Sequence, residues 1–283
     1  MLLVLLLLNI ILLSSSLDWI ILWVGLEINT FIFLSINKSV TKLKTEFEFK
    51  YFIVQFFGSS VFLIGWLCST ELLLFISIMI KLMLLPFLNW VLESLKWISS
   101  KLQLIFLSIQ KIGPFFLLWS LQLHHNIEYK TFLIFNLFVS MLMGINLSHW
   151  MDLLVISSNG QSVLIIILLL FSKAIGLIYL FVYMTSVVFF LIFYKFNQET
   201  IFMFIFISGF PPSLIFFAKL NFLLMLPNLG LSGIIIFTLF FSTMFFVYMK
   251  IFILKFSQAY KVVTSLNSVK SVIFILLLWA CFG

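Results

Sequence analysis

Apolar stretches near the length of a membrane-spanning helix follow one another along the whole chain, at about 1–13, 18–36, 51–69, 71–92, 103–122, 131–148, 152–171, 174–194, 200–226, 229–254 and 268–282. A helix rises ~1.5 Å per residue and must cross ~30 Å of hydrocarbon, so roughly 20 apolar residues make one crossing. Backbone in lipid has to satisfy its own hydrogen bonds, so these crossings are helices. The pattern predicts an all-α polytopic membrane protein with about eleven transmembrane helices, or ten if a short terminal stretch does not span. No stretch of soluble-domain character interrupts it, so residues 1–283 read as a single domain. Met1–Leu13 has no basic start and no small-residue cleavage site, and it reads as a first short span rather than a signal peptide.

Composition excludes the competing classes. Only 9% of residues are charged, against about a quarter in soluble domains, and 64% hydrophobic is far too apolar for a disordered chain. The net charge of +7 is no nucleic-acid footprint, because its 16 basic residues are all lysines and are thinly spread. The chain has 38 Phe and no Arg, which fits T-rich codons; unbiased third codon positions in the gene would contradict that. Cys68 and Cys281 stand far apart in apolar segments and read as small core residues rather than as a disulfide or a metal site. His124 and His125 read as a polar connection, and no Cys or His cluster has metal-ligand spacing.

Lysine placement sets the orientation. With eleven crossings, one side of the membrane receives Lys38, Lys42, Lys44, Lys50, Lys96, Lys101, Lys195, Lys255, Lys261 and Lys270, and the other only Lys130 and Lys173. This asymmetry follows the positive-inside rule and puts the N-terminus on the lysine-rich side.

Five charges remain inside spans: Glu27, Lys81, Lys111, Lys219 and Lys250. A charge at the bilayer centre costs at least about 2.5–3.5 kcal/mol, so such residues mark function more often than accident. Lys250 lies near a helix end and can snorkel; the others lie deep. Three of the lysines stand beside helix breakers: Pro86 after Lys81, Gly113 and Pro114 after Lys111, and Gly209, Pro211 and Pro212 before Lys219. Proline removes a backbone donor and clashes with the preceding turn. Broken helices at membrane depth occur where protein or a watery cavity covers the freed carbonyls, as around transporter ion sites.

Lysine is the base most readily changed by desolvation. Two unit charges 4 Å apart attract by about 4 kcal/mol at an effective dielectric of 20, enough to decide whether a buried lysine keeps its proton. A Lys whose Glu partner approaches and retreats is therefore a proton switch, and a row of such sites is a relay. One carboxylate among cations makes a poor cage for a hard metal. No phosphate loop, nucleophile elbow or dinucleotide fingerprint is present. The run Ser157-Ser158-Asn159-Gly160-Gln161-Ser162 is polar inside a span; it either holds water or bonds helices together.

Taken together, these residues resemble the NADH-ubiquinone oxidoreductase chain 2 family, the mitochondrially encoded antiporter-like subunits of respiratory complex I. Trp23-Val24-Gly25-Leu26-Glu27-Ile28-Asn29 matches the family's W-x-G-L-E-x-N helix. Lys50-Tyr51-Phe52 with Gln55 resembles K-Y-F-x-x-Q, and Lys81-Leu82, Pro86-Phe87 and Trp90 follow K-L-x-x-x-P-F-x-x-W. Gln110-Lys111-Ile112 with Pro114 is similar to Q-K-x-x-P, and Gly209, Pro211-Pro212, Phe216 and Lys219 to G-x-P-P-x-x-x-F-x-x-K. The motifs keep the family's order over about positions 23 to 219, and Tyr248 with Lys250 extends the match, Lys standing where the family usually has Arg.

The resemblance implies an antiporter-like fold without the leading helices of bacterial relatives, short and Phe-rich as in nematode mitochondria. It implies that Glu27 partners Lys81, that Lys111 is the central relay, that Lys219 is the terminal lysine, and that Lys250 is an additional relay position. NADH, FMN, iron–sulfur clusters and ubiquinone would belong to other subunits, with no cofactor and no metal bound by this chain. Partners would be other membrane-arm subunits, including neighbouring antiporter-like ones, and membrane lipid, but no nucleic acid. The location would be the mitochondrial inner membrane, with lysine-rich loops facing the matrix. Departures from the family pattern are Met83 for Gly, Leu88 for His, Met151-Asp152 for Arg-Lys, Ile215 for Gly and Ala218 for Pro; none touches the four deep charges. Two other readings use the same residues: a stand-alone cation/proton antiporter, and a structural subunit in which Glu27 and Lys81 are an assembly ion pair.

Overall fold

The computed structural model describes residues 2–16, 18–40, 45–95, 98–121, 127–145, 150–193, 214–225 and 234–249. Lys250, Gly209, Pro211, Pro212, His124, His125, Cys281 and the stretch 268–282 lie outside them, as do Lys42, Lys44, Lys96, Lys195, Lys255, Lys261 and Lys270. The described residues form helices and no strand: α1 (Leu2–Ser15), α2 (Trp19–Val40), α3 (Thr45–Leu67), α4 (Glu71–Lys81), α5 (Asn89–Leu95), α6 (Ser100–Leu107), α7 (Ile109–Ser120), α8 (Ile127–Ile145), α9 (Trp150–Phe171), α10 (Lys173–Phe193), α11 (Leu214–Met225) and α12 (Ile234–Met249). Among them, stretches of α2, α3, α8 and α9 are long and apolar enough to cross a bilayer unaided. The others are shorter or interrupted.

The polarity of the fold is reversed from that of a soluble bundle. Phe49, Leu67 and Phe181 are each at least two-thirds exposed, at 68%, 78% and 69%, whereas Asn29, Gln55, Gln110, Asn136, Asn159, Lys81 and Lys111 are buried. Apolar faces outward and polar groups inward suit a hydrocarbon solvent, in which polar side chains have to find partners within the protein. The chain is a multi-pass membrane protein.

Helix α9 is the axis. It is buried nearly end to end and packs against α5, α7, α8 and α10. Helix α12 is seated on α9 at Gly160, where an added Cβ would run into the Phe240 ring. A second group gathers α1 to α4 around α7. The rings of Phe33, Tyr51 and Phe106 pack there in tilted and edge-on pairs, their centroids 5.2–5.6 Å apart, joining α2, α3 and α6.

Two expected spans are interrupted. Stretch 71–92 divides into α4 and α5, and α4 stops at Lys81, five residues before Pro86. Leu85, preceding a proline, is steered out of the helical region, and the helix closes upstream of it. The closure is a Schellman motif: Met83 N–H donates to Ile80 O at 3.0 Å and Leu84 N–H to Met79 O at 3.0 Å, with Met83 at φ 57°. Glycine is the residue suited to that left-handed position, and position 83 is where the resembled family has Gly. Met83→Gly should therefore melt higher than Met83→Ala, by about 1 kcal/mol, although both lose the buried thioether. The usual helical order is Ala above Gly, so thermal unfolding of the two variants reads the backbone strain directly.

In stretch 103–122 the interruption falls at Ser108, between α6 and α7, and not at Gly113 or Pro114, which lie inside α7. Ser108 has φ −115° and ψ −78°, and Lys111 N–H reaches its carbonyl at 3.0 Å in a tight first turn. Pro114 deprives only the Gln110 carbonyl, in that first turn, of its helical donor. The helix restarts far enough upstream to hold the proline.

Candidate functional site

Glu27 lies in the middle of α2, Lys81 is the last residue of α4, and Lys111 is the third residue of α7. Each position follows from the local chain. The W-x-G-L-E-x-N segment continues an apolar helix through Glu27; the Schellman closure ends α4 at Lys81; the break at Ser108 restarts the chain just before Lys111. Lys81 thus sits at the negative end of one helix dipole and Lys111 near the positive end of another.

Lys81 Nζ is 3.6 Å from Glu27 Oε1. Both side chains are shielded, at 2% and 16% exposure. That separation is an ion pair but not a hydrogen bond, and neither atom has a hydrogen-bond partner among the described residues. The aliphatic stem of Lys81 lies against Gly58 of α3, where a Cβ would come within 3.1 Å of its Cγ, so the absence of a side chain there makes room for the lysine. Gln55, one turn earlier, donates to the Lys81 carbonyl at 3.4 Å.

Lys111 turns to α9 and has no carboxylate partner among the described residues. Its Nζ donates to Ser162 Oγ at 2.8 Å, Ser158 O at 3.1 Å and Ser158 Oγ at 3.3 Å. Three acceptors match the three donors of an ammonium. The neighbouring Gln110 joins the two regions. Its Oε1 accepts from Asn29 Nδ2 of α2 and from Tyr51 OH of α3, each at 3.1 Å, two residues from Glu27 on one side and adjacent to Lys111 on the other.

The rest of the polar run on α9 meets a different helix at almost every residue. Ser157 Oγ accepts from Tyr248 OH of α12 at 2.6 Å. Asn159 Nδ2 donates to Asn136 Oδ1 of α8 at 3.0 Å, and Asn136 Nδ2 donates to the Leu85 carbonyl at 3.0 Å, in the gap between α4 and α5. Gln161 Oε1 accepts from Tyr179 OH of α10. Between the two sequence readings of this run, the side chains do the second: they bond helices together, and Lys111 is one of the groups they bond.

Lys219, on α11, is 9% exposed, and its Nζ lies 5.0 Å from the centroid of the Phe241 ring on α12, within cation–π range. The structure thus brings Glu27 and Lys81 together, bonds Asn29 of the same helix as Glu27 to Gln110 beside Lys111, and sets Lys219 on α11, which packs on α10, against Phe241 of α12. Asn29, Tyr51, Gln110, Asn136, Tyr179 and Tyr183 were given no role by the sequence. For the amides a signal existed, a polar residue inside an apolar stretch. Tyr51 showed only as a motif letter, and Tyr179 and Tyr183 not at all, since a tyrosine among 38 phenylalanines looks like one more aromatic packing residue. No group of three or more His, Cys, Asp or Glu gathers among the described residues.

No family model matches the sequence. Individual proteins do. The sequence is 32% identical over 149 residues to NADH-ubiquinone oxidoreductase chain 2 of Artemia franciscana, covering 52% of this chain and 48% of that one. It is 31% identical over 196 residues to the chain 2 protein of Aquarana catesbeiana, covering 62% and 56%. The chain is similar to the NADH-ubiquinone oxidoreductase chain 2 proteins. It spans about half the length of the curated chain 2 relatives it matches. In fold it resembles a chain of respiratory complex I from Thermus thermophilus with bound aureothin, at a TM-score of 0.74 and 15% identity over 87% of this chain and 67% of that one. A chain of the membrane-bound sulfane sulfur reductase, an archaeal respiratory membrane complex, superimposes with a TM-score of 0.67, again at 15% identity, over 87% and 65%. These two solved structures support an all-helical membrane fold.

Proposed function

We propose that this chain is a core membrane-arm subunit of the proton-pumping NADH:ubiquinone oxidoreductase, respiratory complex I, and that Glu27, Lys81, Lys111 and Lys219 form its proton path. The observation that carries this reading is the shielded Glu27–Lys81 pair at 3.6 Å, connected through Asn29 and Gln110 to the region of Lys111. The chemistry follows from the pair. While Glu27 is close, its charge favours the ammonium of Lys81; when the two separate, the lysine loses that support and releases its proton towards the next site. Lys111 would take the proton in mid-membrane and Lys219 would pass it on, with Lys250 as a further relay position. The breaks at Ser108 and around Pro86 place two of the lysines at helix ends, where backbone can shift without unwinding a whole span.

The chain itself carries out no redox chemistry in this account. NADH oxidation, flavin, iron–sulfur clusters and quinone reduction belong to companion subunits, and electron transfer there drives the charge changes here. Residues 1–283 act as one translocating unit in the mitochondrial inner membrane, with the lysine-rich loops facing the matrix, neighbouring antiporter-like subunits at its sides and lipid against its outer apolar faces. Purification of the native assembly in mild detergent tests the reading. Subunits carrying flavin and iron–sulfur clusters should co-purify in the same particle with NADH:quinone activity. Isolation of the chain as a free homo-oligomer that exchanges cations for protons would contradict it.

A further inference from the structure

Lys81 has a carboxylate partner and Lys111 has none among the described residues, so what holds Lys111 in place is a separate question. Its three acceptors come from two residues one turn apart on α9, Ser158 and Ser162. Both hydroxyl protons are already committed to the helix backbone: Ser158 Oγ donates to Val155 O at 2.8 Å, and Ser162 Oγ donates to Ser158 O at 2.6 Å. This back-bonding is a familiar serine habit inside helices. Its consequence here is that both oxygens present only lone pairs to Lys111. The Tyr183 hydroxyl of α10 donates to the Leu107 carbonyl at 3.4 Å, next to the helix break before Lys111. Ser162 is fully buried and Ser158 is 4% exposed, so bulk water does not compete for these contacts.

We infer that Ser158 and Ser162 are positioning residues for Lys111: an acceptor-only cradle on the nearly fully buried α9 that fixes the ammonium of the central relay with no carboxylate of the described residues beside it. A carboxylate in the same place would hold the proton by Coulomb attraction and have to be moved away. Two back-bonded serines hold it by directed hydrogen bonds that a small displacement of α7 relative to α9 breaks. The inference deepens the proton-path reading and rests on it.

The test uses the assembled complex in vesicles, with the rate of NADH-driven proton translocation normalised to the amount of complex. Ser162→Ala should slow translocation roughly tenfold, since a hydrogen bond to a charged group is worth at least about 1.5 kcal/mol and ~1.4 kcal/mol is a factor of ten. Ser162→Cys preserves the volume but offers only a weak acceptor, and it should be as slow as Ala. Ser162→Thr keeps the hydroxyl and should recover most of the rate. Should the Ser162 variants fail to assemble, Ser158→Ala decides, with the same slowing expected. Normal rates in Ser162→Ala or in Ser158→Ala, or recovery by Cys equal to that by Thr, would overturn the cradle. Lys111→Met is measured alongside: normal translocation there would overturn the proton path itself, whereas loss there with normal serine variants overturns the cradle alone.

Discussion

Glu27→Gln alone and Lys81→Met alone should each sharply reduce the amount of assembled complex, while the double variant assembles and fails to pump. Removing one member of a buried ion pair leaves the other charge unpaired, at a cost of about 3–5 kcal/mol. The Glu27 and Lys81 side chains are 16% and 2% exposed, so water relieves little of that cost for the lysine. Neutralising both together removes the stranded charge and restores packing, because pairs of this kind contribute little net stability compared with apolar replacements of similar size. Quantifying the assembled particle on native gels and its proton translocation in vesicles separates two accounts. If the pair only supports assembly, the double variant pumps normally. If the pair is a proton switch, the double variant assembles and translocation is lost.

Lys111→Arg should assemble and lose this subunit's share of proton translocation. The guanidinium keeps the positive charge and can meet the acceptors on Ser158 and Ser162, so the electrostatic and structural needs of the site are met. It cannot give up its proton at any pH a protein experiences. Arginine is therefore the substitution that distinguishes a charge held in place from a proton handed on. Pumping at the native rate with Arg at position 111 would mean that Lys111 serves only as a fixed charge. The comparison is cleanest at saturating NADH and quinone, with translocation followed by a pH-sensitive dye trapped inside the vesicles.

The sequence exposed the charged part of the site better than the rest, for a physical reason. A charge in hydrocarbon is costly enough that Glu27, Lys81, Lys111 and Lys219 stand out from 283 residues once the apolar stretches are drawn. That Glu27 partners Lys81 came from the resemblance, since 54 residues separate them and no periodicity connects α2 to α4; in the fold they lie 3.6 Å apart. The helical class was legible because twenty apolar residues in a row leave the backbone few alternatives. The place of each interruption was less so. Proline marks where a donor is missing, but a helix stops where its last carbonyls find partners, which is Met83 and Leu84 for α4 and Ser108 for the α6–α7 junction. The neutral hydrogen-bonding groups were the least visible. Ser158 and Ser162 showed only as a polar run, Gln110 only as a motif letter, and Tyr183 not at all, because a neutral hydroxyl or amide costs little enough in a bundle interior to occur without a role.

The ratio of protons translocated to NADH oxidised, in vesicles containing the native complex and its Lys111→Met variant, tests the central claim most directly. Methionine closely matches the lysine stem in length and carries no proton, and among the described residues the polar groups that lose a partner are the serines of α9. The account predicts that the Lys111→Met complex assembles and loses this subunit's share of proton translocation. A ratio and turnover indistinguishable from the native complex would remove Lys111 from the path and contradict the account.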